Sequence, residues 1–273
     1  MAVIEGTLRR WIHDRAGHGW GFDALVRELV VQGYATDFAQ AAVVHVLFER
    51  PDPGAVPEPL PAGPASTVET GDRSVSVLAT MDSPRIVLLG GVLAPEECDE
   101  LIALARARMT PSTVVDRVTG LSVPHPLRTS SGAHFRGATE PLLARLDRRL
   151  AELVNWPPER CEAIQVMRYG PDEEYQPHYD YFDPADPGSA NHIASGGNRI
   201  ATLIVYLATV AMGGASTFPD AGLEVAPVQG NGVFFRYPIP DPESRTLHGG
   251  RPVIRGEKWI ATKWLRQRAI PAP

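Results

Sequence analysis

Cysteine is nearly absent: Cys98 and Cys161 are the only two in 273 residues. Two thiols cannot build the disulfide framework of a small secreted fold. They read as reduced, half-buried thiols of a cytoplasmic protein, with a single bridge between them left open. No apolar run approaches the ~20 residues of a membrane helix, so no membrane span is expected. The opening residues, MAVIEGTLRRWIHDRAGHG, lack the apolar stretch of a secretory signal. Positive charge is also scarce. The net charge is −6, with 26 Lys and Arg scattered along the chain, which argues against a basic face for nucleic acid. What is present is 44% hydrophobic residues, enough for one domain of about 200 residues and a smaller one.

Changes of period mark the organisation. Over residues 1–50, Phe22, Leu25, Val26, Leu29 and Val30 recur at the spacing of one helix face, and Gly33 is placed to end that helix. Thr36 is placed to cap the next helix, which must stop before Pro51. Trp11 and Ile12 suggest an earlier one, so 1–50 is expected to be a small helical module. Prolines 51, 53, 57, 59, 61 and 64 favour extended polyproline II, and 51–74 reads as a linker.

From residue 75 the signal changes. Residues 85–89 are a short apolar strand. Pro95, Glu96 and Glu97 suit the first turn of a helix whose buried face is Cys98, Leu101, Ile102 and Ala105. Leu142, Leu143, Leu146, Leu150 and Leu153 mark a second amphipathic helix. After Pro158 the period becomes that of strands, at 162–169, 177–182, 199–207, 232–237 and 258–266. Helices followed by many short strands make 75–273 an α+β domain, with a jelly-roll sheet and helices packed outside.

The chemistry-bearing residues fall among those strands. In YQPHYDYF (175–182), alternation puts His178 and Asp180 on one face, where an imidazole and a carboxylate can share a metal. Chance alone gives on the order of 0.4 such His-x-Asp pairs in this composition, so a third ligand is needed. His248, between two expected strands, is the candidate; taken alone it reads as a surface-loop histidine. Two His and one carboxylate leave positions open, which suits non-haem Fe(II) binding a cosubstrate and O₂. On the strand 258–266, Lys258, Ile260, Thr262 and Trp264 share a face. A lysine there needs an anion, such as a dicarboxylate, unless its ammonium reaches water at the strand mouth. Lys263 falls on the other face and is expected to be solvated.

Four ordered segments, RYGPDEEYQPHYDYF, GGNRIATLIVYLA, GGASTFP and LHGGRPVIRGEKWIATKWLR, resemble the prolyl 4-hydroxylase family of Fe(II)/2-oxoglutarate dioxygenases. The resemblance runs from about residue 84 to 268, with LRTSSGAHF and EAIQVMRY in the expected order. It implies a double-stranded β-helix holding Fe(II) on His178, Asp180 and His248. It also implies that Lys258 pairs with the distal carboxylate of 2-oxoglutarate and that Tyr169 hydrogen-bonds it. Trp264 would line the pocket near the iron. Ser216 stands where the family's threonine touches the cosubstrate, and Thr202 and Tyr206 share a strand face that either adds to this pocket or is plain core. Arg128, Glu162, Tyr175 and Arg199 match positions lining a peptide groove; Arg128 and Arg199 read equally as surface ion-pair partners.

The chain departs from the family pattern at Ala215, which removes an acid, at Arg251, and at Arg266, where some members have histidine. These departures bear on the substrate, not on the iron chemistry. The implied reaction is hydroxylation of a peptidyl proline, with 2-oxoglutarate and O₂ converted to succinate and CO₂, and ascorbate as an accessory reductant. The alternatives are hydroxylation of a free amino acid or small metabolite, or a silent peptide-binding module.

Overall fold

The structure, a computed structural model, describes residues 6–17, 20–48, 60, 66–124, 128–135 and 140–271. It divides into two units, Met1–Val56 and Pro57–Pro273. The first contains α1 (Gly6–Gly17), α2 (Phe22–Val31) and α3 (Thr36–Phe48). Ile12, Leu25, Leu29, Ala39 and Val43 are fully buried in its core. Gly33 ends α2 with φ +95°, which lets the Tyr34 N–H reach back to the Leu29 carbonyl. Val30, expected on the buried face, is 38% exposed because Leu25, Val26 and Leu29 already fill that stripe. Thr36 is the first residue of α3 rather than a cap before it.

The second unit begins its strands with β1 (Thr67–Glu69), β2 (Ser74–Met81) and β3 (Arg85–Gly90). The expected linker 51–74 lies largely outside the described residues, and its end is strand. Helix α4 (Pro95–Arg106) follows, opened by the Glu97 carboxylate accepting from the Ala94 N–H at 2.9 Å. Then come β4 (Thr110–Pro111), the hairpin β5 (Thr113–Val115) and β6 (Ser122–Pro124), β7 (Ser131–His134) and α5 (Pro141–Leu153). The remaining elements are β8 (Gln165–Tyr169), β9 (Tyr175–His178), α6 (Ser189–Ala194), β10 (Arg199–Tyr206), β11 (Met212–Gly213), β12 (Ser216–Phe218), β13 (Leu223–Val225), β14 (Gly232–Arg236), β15 (His248–Gly250), β16 (Val253–Arg255) and β17 (Lys258–Arg266).

Two sheets make the jelly roll. The large one runs β1-β2-β3-β14-β10-β17-β8-β7-β4 and the small one β13-β12-β15-β9. Alternation along the central strands separates two cores. Ala201, Leu203 and Val205 of β10 and Trp259, Ala261 and Leu265 of β17 pack with Leu101, Leu143, Leu146 and Leu150 of α4 and α5. Burying each such leucine contributes about 1.5–3 kcal/mol. Ile204 and Tyr206 of β10 and Ile260 of β17 point the other way, to meet Phe218, Val225 and Val253. Both cysteines are free thiols, Cys98 buried and Cys161 half-buried. Burial raises their pKa values to about 12 and about 11, so both stay protonated at neutral pH.

Candidate metal centre and cleft

The small sheet sets the site. Within it the edge strand β9 pairs antiparallel with β15, and the register places His248 directly opposite His178. The sequence reading put His248 in a loop; it is the first residue of a strand and 5% exposed. The expected strand 177–182 is shorter, too. It ends at His178, so Asp180 lies beyond the ladder. Asp180 nonetheless turns inward, its Oδ1 3.5 Å from His178 Nε2 and its Oδ2 3.5 Å from His248 Nε2. One ligand atom from each of the three lies within 4.8 Å of the others.

Both imidazoles are fixed in one tautomer. His178 Nδ1 lies 3.0 Å from the Gln176 carbonyl and His248 Nδ1 3.0 Å from that of Thr246. A carbonyl only accepts, so each Nδ1 carries the proton and each Nε2 offers its lone pair inward. Burial holds His248 down at about 4, and it is neutral at pH 7. For Asp180, burial opposes ionisation, but His248, His178 and Arg199 outweigh it and hold the carboxyl below its ordinary range. Tyr175 stacks on His178 with ring centroids 3.6 Å apart, and Phe235 lies 4.5 Å from His248. Two imidazoles and a carboxylate, aimed at one point, are the donor set that Fe(II) takes with positions left open.

These residues floor a cleft of about 1750 Å³. Lys258, at the start of β17 and opposite Tyr169 of β8, also lines it and is 3% exposed. Among the described residues the one hydrogen bond of its ammonium is to Ser216 Oγ, at 3.3 Å. Burial lowers its pKa to about 7. A buried ammonium without a counter-ion costs several kcal/mol, so this pocket suits an anion. Thr262 Oγ1 and Trp264 Nε1, on the same face of β17, are buried with no hydrogen-bond partner among the described residues. The orphaned donors and the lone cation fit a dicarboxylate beside the three ligands.

Two expected pocket residues are placed differently. Thr202 turns its hydroxyl onto Asp180 Oδ2, at 2.7 Å. Tyr206 is fully buried beside Ser216, its hydroxyl makes no hydrogen bond among the described residues, and it does not line the cleft. Tyr169 is buried, its hydroxyl 3.8 Å from Met167 Sδ.

The residues expected in a peptide groove all line the cleft, but they are tied to protein groups. Arg199 holds Glu162 through two bonds of 2.7 and 2.8 Å, and Arg266 adds a third at 2.8 Å. Burial pushes Glu162 up, yet the two guanidinium groups outweigh it and keep it ionised. Arg199 also lies 4.0 Å over the Trp264 ring. Arg128 donates to the Thr113 carbonyl at 2.9 Å and sits 4.9 Å over Tyr175. Arg266 reaches further, donating to the carbonyls of His192, Ser195 and Gly197 and so tying the α6 segment to the sheet.

The β5–β6 hairpin and the α6 segment both line the cleft and touch each other. Gly188 N–H donates to the Arg117 carbonyl at 2.9 Å, and His192 Nε2 lies 2.9 Å from the Gly120 carbonyl. Arg117 pairs with Asp186 at 2.7 Å. A Cβ on Gly120 would come within 2.5 Å of the Gly188 carbonyl, so only hydrogen fits there. The sequence reading missed this contact, along with Tyr237, whose hydroxyl lies 2.6 Å from Thr202 Oγ1. Tyr237 could have been found as the residue two beyond Phe235, on the same inward face of an extended β14.

Comparison with known proteins places these residues among relatives. Residues 164–266 match the model of the 2OG-Fe(II) oxygenase superfamily. The chain is 40% identical over 204 residues to prolyl 4-hydroxylase 1 of Arabidopsis thaliana, covering 68% of this chain and 70% of the relative. It is 38% identical over 207 residues to prolyl 4-hydroxylase 2 of the same plant, covering 67% of each. Among solved structures it resembles a viral collagen prolyl hydroxylase from Paramecium bursaria Chlorella virus 1 in complex with 2OG. That match has a TM-score of 0.51 and 29% identity, and covers 66% of this chain and 95% of the other.

Proposed function

The chain belongs to the prolyl 4-hydroxylase family of 2OG-Fe(II) oxygenases, and from that premise we propose that it hydroxylates a proline residue within a peptide or protein. As a member of the family it is a dioxygenase that uses Fe(II), 2-oxoglutarate and O₂. The observation that carries the assignment of residues is the convergence of His178, Asp180 and His248 within 4.8 Å, on the floor of a cleft that also holds a buried lysine with no counter-ion among the described residues. In this reading the three are the iron ligands. Iron, when bound, supplies the O₂ chemistry that oxidises 2-oxoglutarate to succinate and CO₂ and places a hydroxyl on the substrate carbon.

The chain's own residues do the rest. Lys258 holds the far carboxylate of 2-oxoglutarate by a charge-assisted bond, with Ser216 and Tyr169 beside it. Thr262 and Trp264 offer their unpaired donors to the same pocket. Arg199, held by Glu162 and stacked on Trp264, and Arg128, stacked on Tyr175, shape the groove for the peptide. The cleft volume, about 1750 Å³, exceeds what a free amino acid or small metabolite fills and favours a peptide. Ascorbate as accessory reductant and a cytoplasmic location belong to the same proposal; the second is supported by the two free thiols. The net charge of −6 supports a partner other than nucleic acid, and no described helix is long and apolar enough to cross a membrane.

The test is mass spectrometry of proline-rich peptides incubated with protein, Fe(II), 2-oxoglutarate and ascorbate. A mass gain of one oxygen on proline is expected, absent with His248→Ala. Succinate release without any modified peptide, but with a modified free amino acid, would replace the substrate class.

A further inference from the structure

The three candidate ligands are not held alike. His178 and His248 face each other across a hydrogen-bonded ladder, and each ring is pinned by its Nδ1 to a backbone carbonyl two residues before it. Asp180 has no ladder, because β9 ends at His178. Something else must keep its carboxylate turned inward.

Thr202 is placed to do this. It sits in the middle of β10, paired with Phe235 on one side and Trp264 on the other, at the centre of the large sheet. Its side chain is wholly buried. Its hydroxyl lies 2.7 Å from Asp180 Oδ2 and 2.6 Å from the Tyr237 hydroxyl. The direction of the protons follows from the groups. An ionised carboxylate only accepts, so the Thr202 proton points at Asp180. The Thr202 oxygen is then an acceptor for Tyr237, whose proton points at Thr202. Each hydroxyl is used in one sense, and a β-branched side chain has few rotamers in which to do otherwise.

We propose that Tyr237 and Thr202 form a one-way hydrogen-bond relay that orients the Asp180 carboxylate for the metal, making both of them positioning residues of the iron site. The relay couples a ligand on a loop of the small sheet to the central strand of the large one. It reassigns Thr202 from cosubstrate contact to ligand support. A carboxylate left to rotate would meet the metal in fewer of its orientations, and affinity would fall. Partners of this kind typically carry 10–100-fold in metal affinity or activity.

The inference rests on the proposed ligand set, so the experiment separates the two. Co(II) affinity of the full chain is measured by calorimetric titration without 2-oxoglutarate, and the Co(II) absorption bands are recorded. Wild type should bind one Co(II) and His178→Ala should not; binding that survives His178→Ala overturns the ligand set itself. Given that control, Thr202→Val, which keeps the shape and removes the donor, should weaken Co(II) about 10–100-fold and shift the bands. Thr202→Ser, which keeps the hydroxyl, should stay near wild type. Tyr237→Phe should weaken binding less, because Thr202 still donates.

Wild-type affinity and bands in Thr202→Val would overturn the relay. So would a variant that binds Co(II) normally and shows only a raised KM for 2-oxoglutarate, since that is the signature of a cosubstrate contact. Should Thr202→Val fail to fold, Tyr237→Phe decides: unchanged affinity and unchanged bands reject the relay, and a weakened, band-shifted site supports it.

Discussion

Lys258 and Lys263 lie on the same strand, both nearly inaccessible to water, on opposite faces of the large sheet. Lys263 points to the helix side, where the Asp147 carboxylate of α5 neutralises it and the Glu162 carbonyl accepts a further bond at 3.3 Å. The expectation that it is solvated was wrong, because α5 covers that face and brings its own acid. Lys258 points between the sheets and has Ser216 in place of an acid. One face completes its electrostatics within the chain. The other leaves a cation unmatched, among the described residues, beside three converging ligands. That difference separates a residue that maintains the fold from one that waits for a ligand.

The largest contrast between the faces is expected from the candidate ligands. Asp180→Ala should take 2-oxoglutarate turnover below detection in a labelled-CO₂ assay. The melting temperature of the metal-free protein should not fall, because a buried charge is removed. A clear loss of melting temperature would mean that this face, too, is built for stability.

Next in size is Lys258→Ala. Losing a charge-assisted bond of roughly 1.5–3 kcal/mol should raise the KM for 2-oxoglutarate about 10- to 100-fold, with Co(II) binding nearly intact. Lys258→Arg should recover only part, since the guanidinium is longer and planar. Wild-type KM in both variants would place the cosubstrate elsewhere.

The same lysine gives a pH dependence. Burial lowers Lys258 to about 7 in the absence of an anion, whereas a bound dicarboxylate favours its charged form. Above pH 7 the free protein must therefore take up a proton to bind. Affinity should be flat below that point and fall above it, by up to about tenfold per pH unit. Calorimetry in buffers of different ionisation enthalpy reads the proton uptake directly, and no uptake at about pH 8 would contradict the assignment.

The smallest effect belongs to the helix face. Asp147→Asn strips Lys263 of its charge partner. Asp147 is 44% exposed, so solvent screening limits the loss to about 1–2 kcal/mol, a few degrees of melting temperature. The KM for 2-oxoglutarate should not move. A change in KM without a change in melting temperature would invert the roles given to the two lysines.

How much of this could be read from the sequence depended on whether the signal was local. The leucines at 142, 143, 146, 150 and 153 are all buried, because a helix period reports its own face. Strand β17 begins and ends where alternation placed it, whereas the three candidate ligands were named together by the resemblance of four ordered segments, because a His-x-Asp pair alone is expected by chance. The failures were matters of partnership. Nothing near Lys263 in sequence announces Asp147, and nothing near Thr202 announces Asp180. Glu162 and Arg199 do line the cleft, but nothing local in the sequence shows that they bind each other and Arg266 there. The contact between Gly120 and Gly188 depends on two loops meeting, and a single sequence carries no trace of it beyond the glycines themselves.

The direct pairing of His178 with His248 carries a thermodynamic consequence. The two residues are about seventy positions apart, joined by a ladder of only three or four residues a side. A metal held by both imidazoles is a reversible cross-link that closes a long loop and locks strand register at once. A slip by one residue would turn one imidazole to the wrong face. Binding energy at the ion then reappears as stability of the small sheet, growing with the logarithm of free metal above its dissociation constant. Chelation should accordingly be felt first as fraying of β9 and β15, in faster amide exchange there than in β10 or β17, before the rest of the domain responds.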